Sequence, residues 1–387
     1  MIVAGEASGD LHGSNLVLAA RELVPELDFF GMGGQRLRAA GVDLAFDLEH
    51  MSLMGFTEII SKLGYAWSAL KTLKAAMAET RPAGLVLIDY PDFNLSLAKT
   101  AKKLGVPVFY YISPQIWAWR TGRVRKMARL VDKLVVVFPF ETEFYRRHGV
   151  EAVFAGHPLL DIMPPPKAKN EAKAHLGFDP DKPLLVLFPG SRRPLVRQLL
   201  PVLLQAAEKV RDRRPDLALA VAQADTLTRD FLASFLKDGP GGVEVLAGRP
   251  HSLQNAADVA VVASGTSTLE TALMLTPMVV VYRTHPLTYH LARFMLKTKD
   301  VAMANLIAGR RVVPELLQNE VCPDRIAAEL ERILGEPEKK EEMTRGLRQV
   351  RGRLGEPGAS RRAARLLLQT IGLDPGTRSE TDKDEYL

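Results

Sequence analysis

Val261-Val262-Ala263-Ser264-Gly265-Thr266-Ser267-Thr268-Leu269-Glu270 begins as an apolar run, breaks at Ser-Gly-Thr, and resumes with Leu269, Ala272, Leu273 and Leu275 at helical spacing. The pattern predicts a strand that feeds the N-terminus of a helix. Amides of a first helical turn lack intrahelical acceptors, and the helix dipole adds positive potential, so such a terminus favours an anion. Ser264, Gly265 and Thr266 stand at that junction. Glu270, about one turn further in, is placed to accept hydrogen bonds from sugar hydroxyls beside a bound phosphate. An ordinary capped helix with a surface Glu would read the same way, so the flanking chain must decide.

Outward from this stretch the same alternation repeats. Further strands are predicted at Leu184–Phe188, 217–222, 243–246, Val259–Ala263 and Met278–Tyr282. The first of these ends in Pro189-Gly190-Ser191-Arg192, which puts Ser191 and the planar fork of an arginine at a strand tip, suited to a diphosphate. Two anion-friendly strand ends in one half predict a nucleoside-diphosphate site there. Asn305, in Ala304-Asn305-Leu306-Ile307-Ala308-Gly309, either bonds a ligand or holds a turn. Segments 325–334, 339–353 and 359–371 read as helices, and 374–387 as a disordered tail.

The N-terminal half opens with a short strand, Ile2–Ala4, then Gly5-Glu6-Ala7-Ser8-Gly9-Asp10 and a helical pattern over 11–23. The loop lacks G-x-G-x-x-G, which argues against a nicotinamide or flavin. Glu6, Ser8 and Asp10 either line a site beyond the strand, or Ser8 and Asp10 cap the helix. Strands follow at 29–32, Leu85–Ile88, 106–112, 134–138 and 153–155. Leu85–Ile88 opens into Asp89-Tyr90-Pro91-Asp92-Phe93-Asn94, and ligands of open α/β sheets sit beyond such carboxyl ends. Asp89, at the tip, is the candidate general base; Asp10 and Asp92 are its competitors. Asp92 could also tie down the turn at Pro91, and Asn94 belongs to the same cluster. His157 in Gly156-His157-Pro158 reads as a turn residue.

Two stretches are apolar or basic beyond what a core needs. Residues 47–67, with Met54, Phe56 and Trp67, are apolar on more than one helical face, which means deep burial or contact with acyl chains. Trp117-Ala118-Trp119-Arg120 with Arg123, Arg125, Lys126 and Arg129 suits a membrane interface. A solvated basic helix fits too; RNA would need a recognisable module, and none surrounds it. A second greasy, basic patch covers 289–299. Met163-Pro164-Pro165-Pro166 marks a domain boundary. The expected division is a domain over 1–163, a second over 164–350, and a helix over 351–373 returning to the first.

Composition agrees with a folded chain: 387 residues, 47% hydrophobic and 25% charged. One cysteine, Cys322, excludes an internal disulfide and fits a reducing compartment. No run of about 18 apolar residues predicts a spanning helix. Met1-Ile2-Val3-Ala4 runs straight into a motif and does not read as a signal peptide. Net charge is +6; without the acidic 374–387 tail the body carries 49 Lys and Arg against 40 Asp and Glu. That excess suits anionic lipid, nucleic acid or phosphorylated substrates. The eight histidines are scattered, so no metal is expected.

Taken in order, the 4–10 motif, Ser52-Leu53-Met54-Gly55, the 88–94 motif, Ser113-Pro114 with Trp117–Arg120, Gly156-His157-Pro158, Pro189–Arg192, Ala263–Thr266 with Glu270, and Asn305–Gly309 resemble the lipid-A-disaccharide synthases over about residues 2 to 370. The resemblance implies a glycosyltransferase-B fold: α/β, two Rossmann-like domains facing a central cleft, with C-terminal helices returning to the N-terminal domain. It implies an inverting glycosyltransferase that joins UDP-2,3-diacylglucosamine to 2,3-diacylglucosamine 1-phosphate, without a cofactor. Asp89 matches the base, and Arg192, Ser264, Gly265, Thr266, Glu270 and Asn305 match the donor side. It also implies a peripheral protein on the cytoplasmic face of the bacterial inner membrane. Leu195, Ala304 and Tyr90 depart from the family's usual glutamate, proline and alanine. Two rivals are a UDP-sugar 2-epimerase on the same fold, which needs no acyl-binding surface, and a non-catalytic membrane scaffold, which does not need Asp89, Arg192 and Glu270 at element tips.

Overall fold

A computed structural model describes residues 1–47, 59–114, 123–237, 239–284, 289 and 300–373. The chain divides into two compact units: Met1–Asp161 with Leu354–Leu387, and Ile162–Arg353. The expected contacts of Met54, Phe56, Trp117, Trp119 and Arg120, the 290–299 patch and the 374–387 tail lie outside the described residues.

The first unit holds β1 (Ile2–Ala4), β2 (Phe30–Gly33), β3 (Asp43–Asp47), β4 (Leu85–Ile88), β5 (Val108–Tyr111), β6 (Lys133–Val136) and β7 (Ala152–Phe154), in the order β3-β2-β1-β4-β5-β6-β7. The second holds β8 (Leu184–Phe188), β9 (Ala218–Gln223), β10 (Val243–Ala247), β11 (Val259–Ala263), β12 (Met278–Tyr282) and β13 (Glu315–Leu317), in the order β10-β9-β8-β11-β12-β13. Every pairing is parallel. Both sheets therefore wind outward in two directions from their first strand. The order reverses between β1 and β4 in one unit and between β8 and β11 in the other, and ligands of doubly wound sheets bind at such switch points.

Strand alternation sorts side chains onto two buried faces. In the first unit Val3, Leu85, Leu87, Tyr110 and Leu134 join one core, which helices Ile59–Thr80, Pro91–Leu104 and Val124–Leu130 cover through Leu73, Leu97 and Met127. Ile2, Val86, Ile88, Tyr111 and Val135 face the other core, covered by helices Ala7–Leu23 and Ala359–Thr370 through Leu16, Ala20, Ala363 and Leu367. The latter helix starts where Asp161 accepts the amides of Gly358, Ala359 and Ser360 at 2.6, 3.0 and 2.7 Å.

Two strands escape the sequence reading. β3 is an edge strand bounded by aspartates, and β13 has only three residues. Of the helix expected over 47–67, residues 48–58 lie outside the described residues. Asp47 closes β3, and the helix described runs from Ile59 to Thr80, past Trp67. Within it Trp67 is 68% exposed. Among the described residues no helix is long and apolar enough to cross a membrane.

Candidate active site

At the tip of β4, Asp89 and Tyr90 adopt φ values of 46° and 43°, consecutive left-handed conformations in non-glycine residues. Each costs on the order of 1–3 kcal/mol, so surrounding bonds must hold the pair. Asn94, fully buried, donates from Nδ2 to the carbonyls of Asp89 at 2.7 Å and Ile88 at 3.1 Å. The hydroxyl of buried Tyr110 donates to the same Asp89 carbonyl. The Asp89 side chain is left half-buried. Burial, and then the nearby Glu6 carboxylate, push its pKa above the ordinary aspartate value, against a lowering hydrogen bond from the Tyr90 amide.

Glu6 comes from the neighbouring strand. It follows β1 and Gly5, and serves in an extended conformation as the N-cap of helix Ala7–Leu23, making no side-chain cap bond. Glu6, Ala7 and Ser8 are exposed. The Tyr90 ring closes over Gly5 so tightly that a Cβ there would lie 2.4 Å from Tyr90 Cγ. The β1 and β4 tips therefore form one wall: an open helix N-terminus, two carboxyl groups and an aromatic ring.

The second unit repeats the plan with different chemistry. After β8, Gly190 turns at φ 103°, and Ser191 and Arg192 stand exposed before helix Arg193–Arg213. Thr226 donates from Oγ1 to the Ser191 carbonyl at 2.6 Å and pins the loop. Arg193 and Arg197 lie over the Phe231 ring at 5.3 and 5.6 Å, which leaves Arg192 nearest the strand tip. Across the switch point, Gly265 caps helix Thr266–Leu273, with no side-chain cap bond and no acid in the first turn. Gly265 and Thr266 are exposed and Ser264 half-buried. Glu270 is held from behind by fully buried Gln254, whose Nε2 donates at 3.1 Å, with His251 Nε2 at 3.8 Å. An anion at this wall meets amides and a guanidinium, while Glu270 offers acceptors to hydroxyls.

The family profile described as Lipid-A-disaccharide synthetase matches residues 1–369. A Lipid-A-disaccharide synthase of Geobacter metallireducens is 47% identical over 374 residues, covering 96% of this chain and 97% of the relative. One of Myxococcus xanthus is 48% identical over 372 residues, with coverages of 96% and 97%.

The chain belongs to the lipid-A-disaccharide synthase family.

It is a glycosyltransferase with a role in lipid A disaccharide synthesis. Solved structures confirm the glycosyltransferase-B fold and, at their low identity, the fold alone. The S. aureus MnaA–UDP co-structure is 13% identical with TM-score 0.65, covering 96% of each chain. The Neisseria meningitidis UDP-GlcNAc 2-epimerase bound to UDP-GlcNAc is 12% identical with TM-score 0.63, covering 95% of this chain and 99% of that one. The Acinetobacter baumannii MurG is 14% identical with TM-score 0.59, covering 95% and 98%.

The residues singled out from the sequence separate by burial. Glu6, Ser8 and Asp89 gather at the first switch point, and Ser191, Arg192, Ser264, Gly265, Thr266 and Glu270 at the second. Three others serve the scaffold instead of facing a ligand. Asp10 is buried and accepts the amides of Gly34, Arg36 and Leu37 at 2.7, 3.0 and 3.1 Å, capping a neighbouring helix. Asn94 spends its amide on the β4 tip. Asn305, 1% exposed, donates to Val313 and Glu315 and accepts the amides of Val312 and Val313. Asp92 is exposed and pairs with Arg123 at 2.6 Å, so this basic residue is tied to a carboxylate. Tyr110, Gln254, Thr226 and Glu315 escape the sequence reading. Only Tyr110 carried a signal, as an aromatic polar residue within an otherwise buried strand.

Proposed function

We propose that the enzyme transfers a diacylglucosamine unit from UDP-2,3-diacylglucosamine to 2,3-diacylglucosamine 1-phosphate, giving the β-1′,6-linked disaccharide 1-phosphate and UDP. The raised proton affinity of Asp89, held by its backbone at the first switch point, carries this reading. The first unit takes the acceptor: as its hydroxyl oxygen attacks the anomeric carbon, the hydroxyl proton passes to Asp89. The second unit takes the donor. The C–O bond to the diphosphate breaks with its electron pair going to the leaving oxygen, and Arg192, Ser191 and the amides at Gly265 and Thr266 receive that charge. A single displacement inverts the anomeric centre. Glu270, backed by Gln254, orients donor hydroxyls. No cofactor takes part. Exposed Trp67 and Arg125 support a peripheral position on an anionic membrane, at the cytoplasmic face of the inner membrane.

The test is UDP release in detergent. Release should require both acylated sugars, and Asp89→Asn should lower kcat by about 100- to 10,000-fold, the usual contribution of a positioned base, with an unchanged circular dichroism spectrum. Normal turnover of Asp89→Asn sinks the base assignment. Conversion of the donor alone into a C2-epimeric UDP-sugar, without net UDP release, favours epimerase chemistry on the same fold.

A further inference from the structure

A groove outside these switch points runs along the outer side of the first unit, between helices Pro91–Leu104 and Val124–Leu130. It encloses about 450 Å³. Leu95 and Leu130 form its floor, and Lys99, Lys126 and Arg129 its rim. Rim cations above an apolar floor suit an amphiphile with a phosphate beside an acyl chain: the phosphate meets the rim, and the chain covers the leucines.

The setting favours an anion. The three helices on this face of the sheet carry nine Lys and Arg against two acids, Glu79 and Asp92. Asp92 already pairs with Arg123, whose side chain is only 15% exposed. The groove also points at the reaction. Its Asp92–Arg123 end opens at the carboxyl edge of the sheet, one turn from Asp89. Tyr110, whose hydroxyl donates to the Asp89 carbonyl, feels both Asp89 and Arg123. Lys99 stands seven residues beyond Asp92, about 10 Å further along the axis at 1.5 Å per residue. A ligand with its reactive hydroxyl at Asp89 would extend its far end into the rim.

We infer that this groove binds the phosphate and adjoining acyl chain of the acceptor lipid, with Lys99, Lys126 and Arg129 as its phosphate contacts. The inference rests on the acceptor role proposed for the first unit. A bilayer phospholipid offers related chemistry, so the experiment separates the two sources. Lys126→Gln/Arg129→Gln is compared with the unaltered enzyme in mixed micelles, using the acceptor with and without its 1-phosphate. The KM for the phosphorylated acceptor should rise at least tenfold, while kcat and the donor KM stay within twofold. The KM for the dephosphorylated acceptor should not change between the two enzymes. Co-sedimentation with phosphatidylglycerol vesicles should also be unchanged. Loss of vesicle binding with an unaltered acceptor KM would make the groove a headgroup patch and overturn the proposal. An equal rise for both acceptors, or no rise for either, would overturn it too. Lys99→Gln, on the other helix, should reproduce the effect and guards against local damage from the double change. If the unaltered enzyme fails to turn over the acylated pair, the functional reading fails first, and separately.

Discussion

Replacing Gly5 by alanine should damage the β4 tip through Tyr90, and the damage should shrink when Tyr90 is also alanine. A Cβ on Gly5 would lie 2.4, 2.5 and 2.8 Å from Tyr90 Cγ, Cδ1 and Cβ. Carbon atoms rest about 3.5–4.0 Å apart, so the ring would have to retreat by roughly 1 Å. Rotation about χ1 cannot supply that, because the Tyr90 Cβ itself is too close. The backbone must move, and it is tied by the Asn94 and Tyr110 bonds to the Asp89 carbonyl. Overpacking of this kind costs about 1–3 kcal/mol. A 1 Å displacement of the adjacent Asp89 would lower turnover on the order of a hundredfold. Tyr90→Ala alone loses the Phe93 ring contact at 5.3 Å and part of its apolar cover, about 1–2 kcal/mol. Urea titrations and UDP-release rates of both single variants and the double variant give the coupling. It should be a fraction of the overpacking cost of about 1–3 kcal/mol, because the 2.8 Å approach to the Cβ of residue 90 persists in alanine, with the double variant more stable than the two losses predict. If Gly5→Ala costs as much without the Tyr90 ring as with it, the contact is not what demands glycine at position 5.

Four further outcomes follow from the same geometry. The Asp89 carboxyl has a higher pKa folded than unfolded, so its ionisation opposes folding; this penalty is absent below the unfolded pKa and complete once pH has risen through the folded value. Asp89→Asn should therefore be more stable than the native chain at neutral pH, with the gain fading toward acid pH in urea titrations; in kinetics, Glu6→Gln should move the acid limb of kcat/KM to lower pH, and an unmoved limb would remove Glu6 from the site's electrostatics. Asp10→Ala strands three amides, two of them buried, and should cost about 3 kcal/mol of stability with substrate KM values unchanged; a catalytic role would instead appear as lost kcat at full stability. Gln254→Leu removes the amide hydrogen bond to the Glu270 carboxylate, worth about 1.5–3 kcal/mol, and should raise the donor KM roughly tenfold or more while the acceptor KM stays put; equal changes in both would point to general disruption.

Much of this was legible from local pattern. Buried parallel strands announce themselves as apolar runs, and β4, β8, β11 and β12 were read with the bounds the structure shows. The tips of those strands announce chemistry because polar residues crowd where the run stops. β3 did not, because an edge strand that alternates with acids has no continuous run to detect. The sequence could not show which polar side chains at the tips would turn inward. Asn94 sits one helical turn past Tyr90, where it could have faced a ligand as readily as the backbone. Only the left-handed Asp89–Tyr90 pair, which leaves carbonyls needing donors, explains why it turns in. Asn305 is similar: its partner Glu315 belongs to a three-residue strand invisible to periodicity. Gln254 and Thr226 act across 16 and 35 residues, a separation no local pattern encodes.

The same logic separates the three aspartates that competed for the role of base. A carboxylate serves as a general base only if a lone pair remains for the substrate proton and the proton is welcome when it arrives. Asp10 gives both oxygens to three amides at the start of another helix, so its lone pairs are already engaged. Asp92 is exposed and commits an oxygen to the Arg123 guanidinium at 2.6 Å. Asp89 accepts one amide, from Tyr90, while burial, and then the nearby Glu6 carboxylate, raise its proton affinity above that of an ordinary aspartate. Its left-handed backbone is held in place by two donors to the Asp89 carbonyl, Asn94 Nδ2 and the Tyr110 hydroxyl. Three chemically identical groups within one unit are thus assigned different tasks by the donors and charges the fold places beside them, and the proposed base is the one the fold leaves unsatisfied.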